Sequence, residues 1–234
     1  MNNIFVTAAL LTGLATAGQA AVFNFDDAAF LDTTVNSVTT SDGSIAAKLT
    51  TQRGPVGSRV DGIAAIFNTE NASNAPGGSA GDPDLVEEAL SSAAFFKGQG
   101  FGGALIVSET LGPNDVGVAL TPADDNFNGG SITFDFMDTL VNLKSFDILD
   151  DATVTVVAGG ASSIFTVGTD GGFGSFDLTG LGFNAVSSVT FDFGSASGAI
   201  DNFRVTAVPV PAALPLLLVG LGGLGLLARR RKTS

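Results

Sequence analysis

The sequence predicts an all-β protein, a single β-sandwich or jelly-roll domain set between two apolar ends. Three observations predict it. Apolar and polar residues alternate with a period of two in several short runs. Clusters rich in Gly, Asx and Ser separate those runs at roughly 8–14-residue intervals. The acidic residues are 19 Asp against 4 Glu, a bias towards turns and away from helices. At 234 residues there is room for one ordinary domain plus processing segments.

The elements follow in chain order. Residues 1–20 carry no charged side chain and are apolar from 4 to 17; Gly18 and Ala20 are the small residues of a signal-peptide cleavage site after Ala20, although no Lys or Arg precedes the apolar stretch. The body is 21–207. Its early strand candidates are 22–25, 44–50, 61–67 and 104–109. In the fourth, Leu105, Ile106 and Val107 are consecutive, which predicts a strand covered on both faces. Later strands alternate cleanly: Ile132, Phe134 and Phe136; Val154 and Val156; Val189, Phe191 and Phe193; Phe203 and Val205. Turn clusters lie at 124–130, 158–163, 169–174 and 194–198. Residues 68–83 read as a surface loop, and Asp84 with Glu87 has capping-box spacing ahead of Leu85, Val86 and Leu90, which predicts a short helix. Residues 132–136 echo 189–193, as two strands sharing one in/out pattern do.

The C-terminal segment, 208–234, is the most specific. Val208, Pro209, Val210, Pro211 and Ala212 precede an apolar run, and Arg229, Arg230, Arg231 and Lys232 close it. Residues 212–228 are 17 positions without a charge. As a helix at about 1.5 Å per residue they reach about 25 Å, enough for a thin bilayer, with the basic end held on the cytoplasmic side. A Val-Pro-x-Pro-Ala motif, an apolar Leu/Gly helix and a terminal Arg cluster, in that order, resemble the PEP-CTERM sorting tails of bacteria, in their VPLPA-CTERM variant with Val210 in place of Leu. The resemblance implies recognition of 208–212 by an exosortase, removal of the helix and basic end, and delivery of the body from the inner membrane to the surface or extracellular matrix of a Gram-negative bacterium. The body also resembles, less specifically, the jelly-roll ectodomains that accompany such tails, through Gly81 to Leu85, Ala104 to Glu109, Gly129 to Phe136 and the closing Ile200, Asp201, Asn202 and Phe203.

Composition excludes much chemistry. There is no Cys, His, Trp or Tyr, so disulfides, thiolate metal sites, Ser-His-Asp and Cys-His nucleophiles are absent. The 23 acidic groups outnumber 10 basic ones for a formal charge of −13; the body alone, with 6 basic groups, carries −17, which repels nucleic acid and anionic lipid. One cofactor is a candidate. Asp124, Asn126, Asn128 and Gly129 match the start of a calcium loop, with Asp135 at the twelfth position; the competing reading is an Asx-rich hairpin turn. Asp82, Asp84, Glu87 and Glu88 form a second, weaker acidic cluster. A carboxylate pair for glycoside hydrolysis needs more than proximity in so acidic a chain. Sugar sites favour Trp and Tyr, both missing, which leaves Phe95, Phe96 and Phe101 as exposed aromatic candidates that either cover the core edge or form a contact patch. The expectation is therefore a non-enzymatic structural or adhesive protein with exopolysaccharide as its candidate partner, the alternative being a calcium-assisted glycan-binding module.

Overall fold

The structure is a computed structural model and describes residues 18–70, 85, 101–120, 124–150, 153–168 and 172–209. Its compact unit, Gln19–Val208, is built of strands, and among the described residues there is no helix. The strands are β1 (Ala20–Phe23), β2 (Thr33–Val35), β3 (Ser37–Thr39), β4 (Ala46–Arg53), β5 (Val60–Gly62), β6 (Ala64–Asn68), β7 (Gly103–Val107), β8 (Gly130–Asp135), β9 (Val141–Leu149), β10 (Thr153–Ala158), β11 (Ala161–Thr166), β12 (Phe173–Asp177), β13 (Ser188–Asp192) and β14 (Ala199–Ala207). They form two antiparallel sheets of seven. One runs β12-β9-β14-β7-β6-β2 with β1 also on β14; the other runs β11-β10-β13-β8-β4-β3 with β5 also on β4.

Alternation decides which side of each strand faces in. In β4, Ala47, Leu49 and Thr51 are buried while Lys48, Thr50 and Gln52 point out; in β10, Val154, Val156 and Ala158 are buried. The two inner faces meet in one apolar core. At its centre Phe23, Phe146 and Phe203 of the first sheet interlock with Phe134 and Phe191 of the second. Their ring centroids are 5.6 Å apart for Phe23–Phe134, 5.2 Å for Phe134–Phe203 and 5.1 Å for both Phe146–Phe191 and Phe191–Phe203. Each such buried ring contributes about 1.5–3 kcal/mol through the apolar area it removes from water.

The consecutive apolar run at 105–107 has the two-sided burial it predicts. Leu105 and Val107 enter the inter-sheet core, while Ala104 and Ile106 join a second cluster on the outer face, with Phe67, Leu85, Phe101 and Leu149. Of the two readings of Phe101, cover of the core edge or exposed contact patch, the structure shows the first: it is buried there, 5.0 Å from Phe173, because this outer face is apolar and needs a cover. Residues 61–67 are not one strand but two. The chain leaves β5 in one sheet, turns at Ile63 and enters β6 in the other, just as it crosses between β2 and β3 at Asn36. The turn expected at 158–163 is confined to Gly159 and Gly160, and 161–163 start β11. The echoing segments are neighbours: β8 pairs with β13, Phe134 opposite Val189 and Ile132 opposite Phe191. Apart from Leu85 the expected helix lies outside the described residues, as do Phe95, Phe96 and the 212–228 span. Among the described residues no helix is long and apolar enough to cross a membrane.

Candidate functional site

Three places hold the polar chemistry of the described body. The first is the loop expected to bind calcium. Asn126 accepts a hydrogen bond from the Asn128 N–H (3.1 Å), and its carbonyl accepts the Gly129 N–H (2.7 Å), an Asx-supported turn. Asp125 and Asn126 are buried, and Asp125 accepts the backbone N–H of Gly198, which ties this loop to the one at 194–198. The loop thus spends side-chain oxygens on holding neighbouring backbone. Asp135 stands at the other end of β8, about 16 Å from Gly130 at about 3.3 Å per residue. There it accepts the Met137 N–H (2.9 Å). The strand that follows the loop carries the expected twelfth ligand away from Asp124, Asn126 and Asn128. A helix in that place would have folded it back. Among the described residues, no group of three or more acidic side chains is placed to hold a metal ion. The cluster of Asp82, Asp84, Glu87 and Glu88 lies outside them.

The second place is on β14, where the sequence signalled no site. One edge of β14 pairs with β9, from Ala199 to Asp201 and again from Arg204 to Ala207. The other is shared by two strands: β7 takes Ala199 and Ile200, and β1 takes Phe203 to Thr206. Asp201 and Asn202 fall at the junction. Asn202 has φ +47°, and the β14–β9 register shifts between Asp201 and Arg204 and again between Arg204 and Val205. Such bulges break alternation and re-aim side chains. Ile200, Phe203 and Val205 face the core, while Asp201 lies directly opposite Asp147 on β9. Asn202 spans the pair, its Nδ2 donating to Asp147 Oδ2 and to Asp201 Oδ2, both at 3.0 Å.

Asp201 is 1% exposed, and its Oδ1 has no hydrogen-bond partner. Burial, above all, pushes its carboxyl up to about 9; the Asn202 N–H works against this, and the charges of Asp26 and Asp147 add to it. Asp26 reaches the same junction from the chain after β1, accepting the Gly103 N–H (3.0 Å), and burial raises its pKa too. Gly103 is required here, since a Cβ would overlap the Phe25 carbonyl. Beside the pair, Ser145, Asp147, Ser175, Asp177, Asn202 and Arg204 line a polar groove of about 360 Å³. Ser175 donates to Asp147 at 2.5 Å.

The third place is a cleft of about 530 Å³ where β2 and β3 cross between the sheets. Phe30, nearly half exposed, stands at it with Asn24, Asp26, Asp27, Thr39 and Ser41. Asn24 Nδ2 donates to Asp26 Oδ2 (2.9 Å), so Asp26 links the cleft to the β14 junction. A Phe face among carboxylate, amide and hydroxyl groups can stack on a sugar ring and hydrogen-bond its hydroxyls, and it disfavours anions.

Of the segment 208–234, expected to serve as a sorting tail, Val208 and Pro209 are described. Val208 donates to the Leu140 carbonyl (2.8 Å) immediately after β14 ends at Ala207, so the motif begins where the last core strand stops. Val210, Pro211, Ala212 and the basic residues 229–232 lie outside the described residues. Comparison with known protein families, with curated proteins and with solved structures yields no match to this chain.

Proposed function

We propose that this chain is an exported surface or extracellular-matrix protein of a Gram-negative bacterium, sorted by an exosortase, with a structural or adhesive and non-enzymatic role. One observation carries the reading: the order, within 208–234, of a Val-Pro-Val-Pro-Ala motif, an uncharged 17-residue run and a closing Arg-Arg-Arg-Lys cluster. In this reading residues 1–20 direct export, 212–228 tether the precursor in the inner membrane, and cleavage near 208–212 frees the body. The body is then the jelly-roll form of sandwich, and its −17 charge with few basic side chains keeps it away from nucleic acid. The junction of the last core strand with the motif supports a body that ends where processing begins. Changing Pro209 and Pro211 to Ala tests it. The variant stays in the membrane fraction with its tail attached, whereas release unchanged from the native chain contradicts exosortase recognition.

A second reading, a calcium-assisted glycan-binding module, is favoured by the cleft at Phe30, whose volume of about 530 Å³ suits one or two sugar rings. Asp124, Asn126 and Asn128 remain its calcium candidates without Asp135. A glycan array with the native protein and with Phe30→Ala, with and without calcium, tests it. Binding that Phe30→Ala abolishes supports the module, and a flat array removes it.

A further inference from the structure

The two sheets have edges of different kinds. On one side of the sandwich the edge strands β2, β3 and β5 are three residues long. β2 is also covered: Thr34 donates to the Val118 carbonyl and its own carbonyl accepts the Gly117 N–H. Short, covered edges do not template further pairing. The opposite side is built otherwise. There β11 closes one sheet and β12 the other, with Phe165 and Phe176 5.2 Å apart between them. β12 carries Asp177, whereas β11 is six residues of Ala, Ser, Ile, Phe and Thr with no charge and no Pro. The whole stretch 153–168 lacks a charged side chain, in a body of −17.

The hairpin fixes which groups of β11 are open. Gly159 (φ +57°) and Gly160 (φ +83°) form a two-residue turn with both φ positive, and Ala158 pairs with Ala161. In such a hairpin the closing pair is hydrogen-bonded, and hydrogen-bonded and open pairs then alternate. Ser162, Ile164 and Thr166, opposite Val157, Thr155 and Thr153, therefore turn N–H and C=O away from β10. Among the described residues no backbone group outside the hairpin bonds to them. Their side chains are exposed, Ile164 by 69%.

We propose that β11 pairs antiparallel with β11 of a second copy of this chain about a two-fold axis perpendicular to the sheet, joining the two sheets across the interface. The strand is complementary to itself in one register. Ile164 meets Ile164 of the second copy, and Ser162 meets its Thr166. All three outward residues become hydrogen-bonded pairs, about six bonds in all. The same register keeps the two outer faces on one side and covers each exposed Ile164 with the other. Charge selects this edge: two bodies of −17 repel within a Debye length of about 8 Å at physiological salt, and the uncharged hairpin lets them approach with the fewest like charges between them. The inference stands apart from the sorting tail, since it uses the sandwich alone.

The absence of cysteine makes the test clean. In full-length protein in mild detergent, Ile164→Cys places two thiols across the two-fold. The Cα separation of such a pair, about 5.5 Å, lies within disulfide reach, and a short bis-maleimide also spans it. The expected result is a covalent dimer from Ile164→Cys and none from Ser162→Cys alone, with Ser162→Cys/Thr166→Cys restoring it. Adding Ser162→Pro to Ile164→Cys removes an outward N–H, leaves the bonds to β10 in place and loses the dimer, with the circular dichroism unchanged. A monomeric Ile164→Cys overturns the proposal. So does a dimer no more abundant than that from Thr133→Cys on the central strand β8, or one that survives Ser162→Pro in folded protein.

Discussion

Replacing Asp201 by Asn should flatten the pH dependence of stability between pH 4.5 and 9 and stabilise the fold at neutral pH. Asp201 is buried beside Asp147 and Asp26, with its carboxyl raised from the ordinary 3.8 to about 9. A carboxyl raised on folding makes its contribution in full below 3.8 and loses it as pH climbs through the folded value. Across that window the native state holds a proton that the unfolded state has released, so stability falls by about 1.4 kcal/mol per pH unit. From pH 4 to 7 this amounts to about 4 kcal/mol as an upper bound, since water entering the junction softens it. The chain is well suited to the measurement. It has no His, the usual source of a slope between pH 5 and 8. The carboxyls of Asp42, Asp177 and Asp192 are shifted the other way, lowered from their ordinary value by hydrogen bonds, and act in the opposite direction outside this window. Asn keeps the shape, accepts no proton and has no charge to bury. Urea denaturation at pH 4.5, 6, 7.5 and 9 should show the native chain weakening with pH and Asp201→Asn losing most of that slope, with Asp26 supplying what remains. Parallel curves for the two proteins would refute the reasoning.

Two further outcomes follow from the packing and the charges. Phe134→Ala, at the centre of five interlocked rings, should cost about 3–5 kcal/mol in chemical denaturation, against near-neutral changes at exposed Thr50. Arg59 forms a two-pronged ion pair with Asp192 and so clasps the β5 turn to the end of β13. Burial opposes the charge on Asp192, but hydrogen bonds from Arg59 and the Gly194 N–H hold its pKa down. Arg59→Ala should cost about 1–3 kcal/mol at pH 7 and progressively less as pH falls through the lowered pKa of Asp192 and its carboxylate takes up a proton. An Arg59→Ala penalty of equal size at pH 7 and pH 2 would show that packing, and not charge, makes the clasp.

The all-β architecture is legible in the sequence where one face is wet. The segments of β4, β8, β10 and β13 alternate in period two, and each forms a strand of the sandwich. Strands escaped where the period slips or the run is short. β9 turns Val141 and Leu143 inward, then Phe146 and Ile148, with the slip at Lys144 and Ser145 where its register with β14 shifts. β2 and β3 are too short to show a period, and the small residues of β11 read as an extension of its Gly-Gly turn. The Asp201 junction had a faint signal of the same kind: inward Ile200, Phe203 and Val205 are spaced three and then two. Its chemistry comes from Asp26 and Asp147, 175 and 54 positions away in the chain, which only the pairing of β14 with β1, β7 and β9 brings near. Asp135 lies at the far end of β8 from the 124–129 loop for a local reason: the pattern counts residues, and twelve residues of loop and helix do not reach where loop and strand do.

Export followed by processing at both ends is tested most directly by the intact mass of the protein isolated from its own cells. The expected mass is that of a chain beginning at Ala21 and ending within or next to residues 208–212. A mass corresponding to all 234 residues, Met1 and Ser234 included, would contradict it.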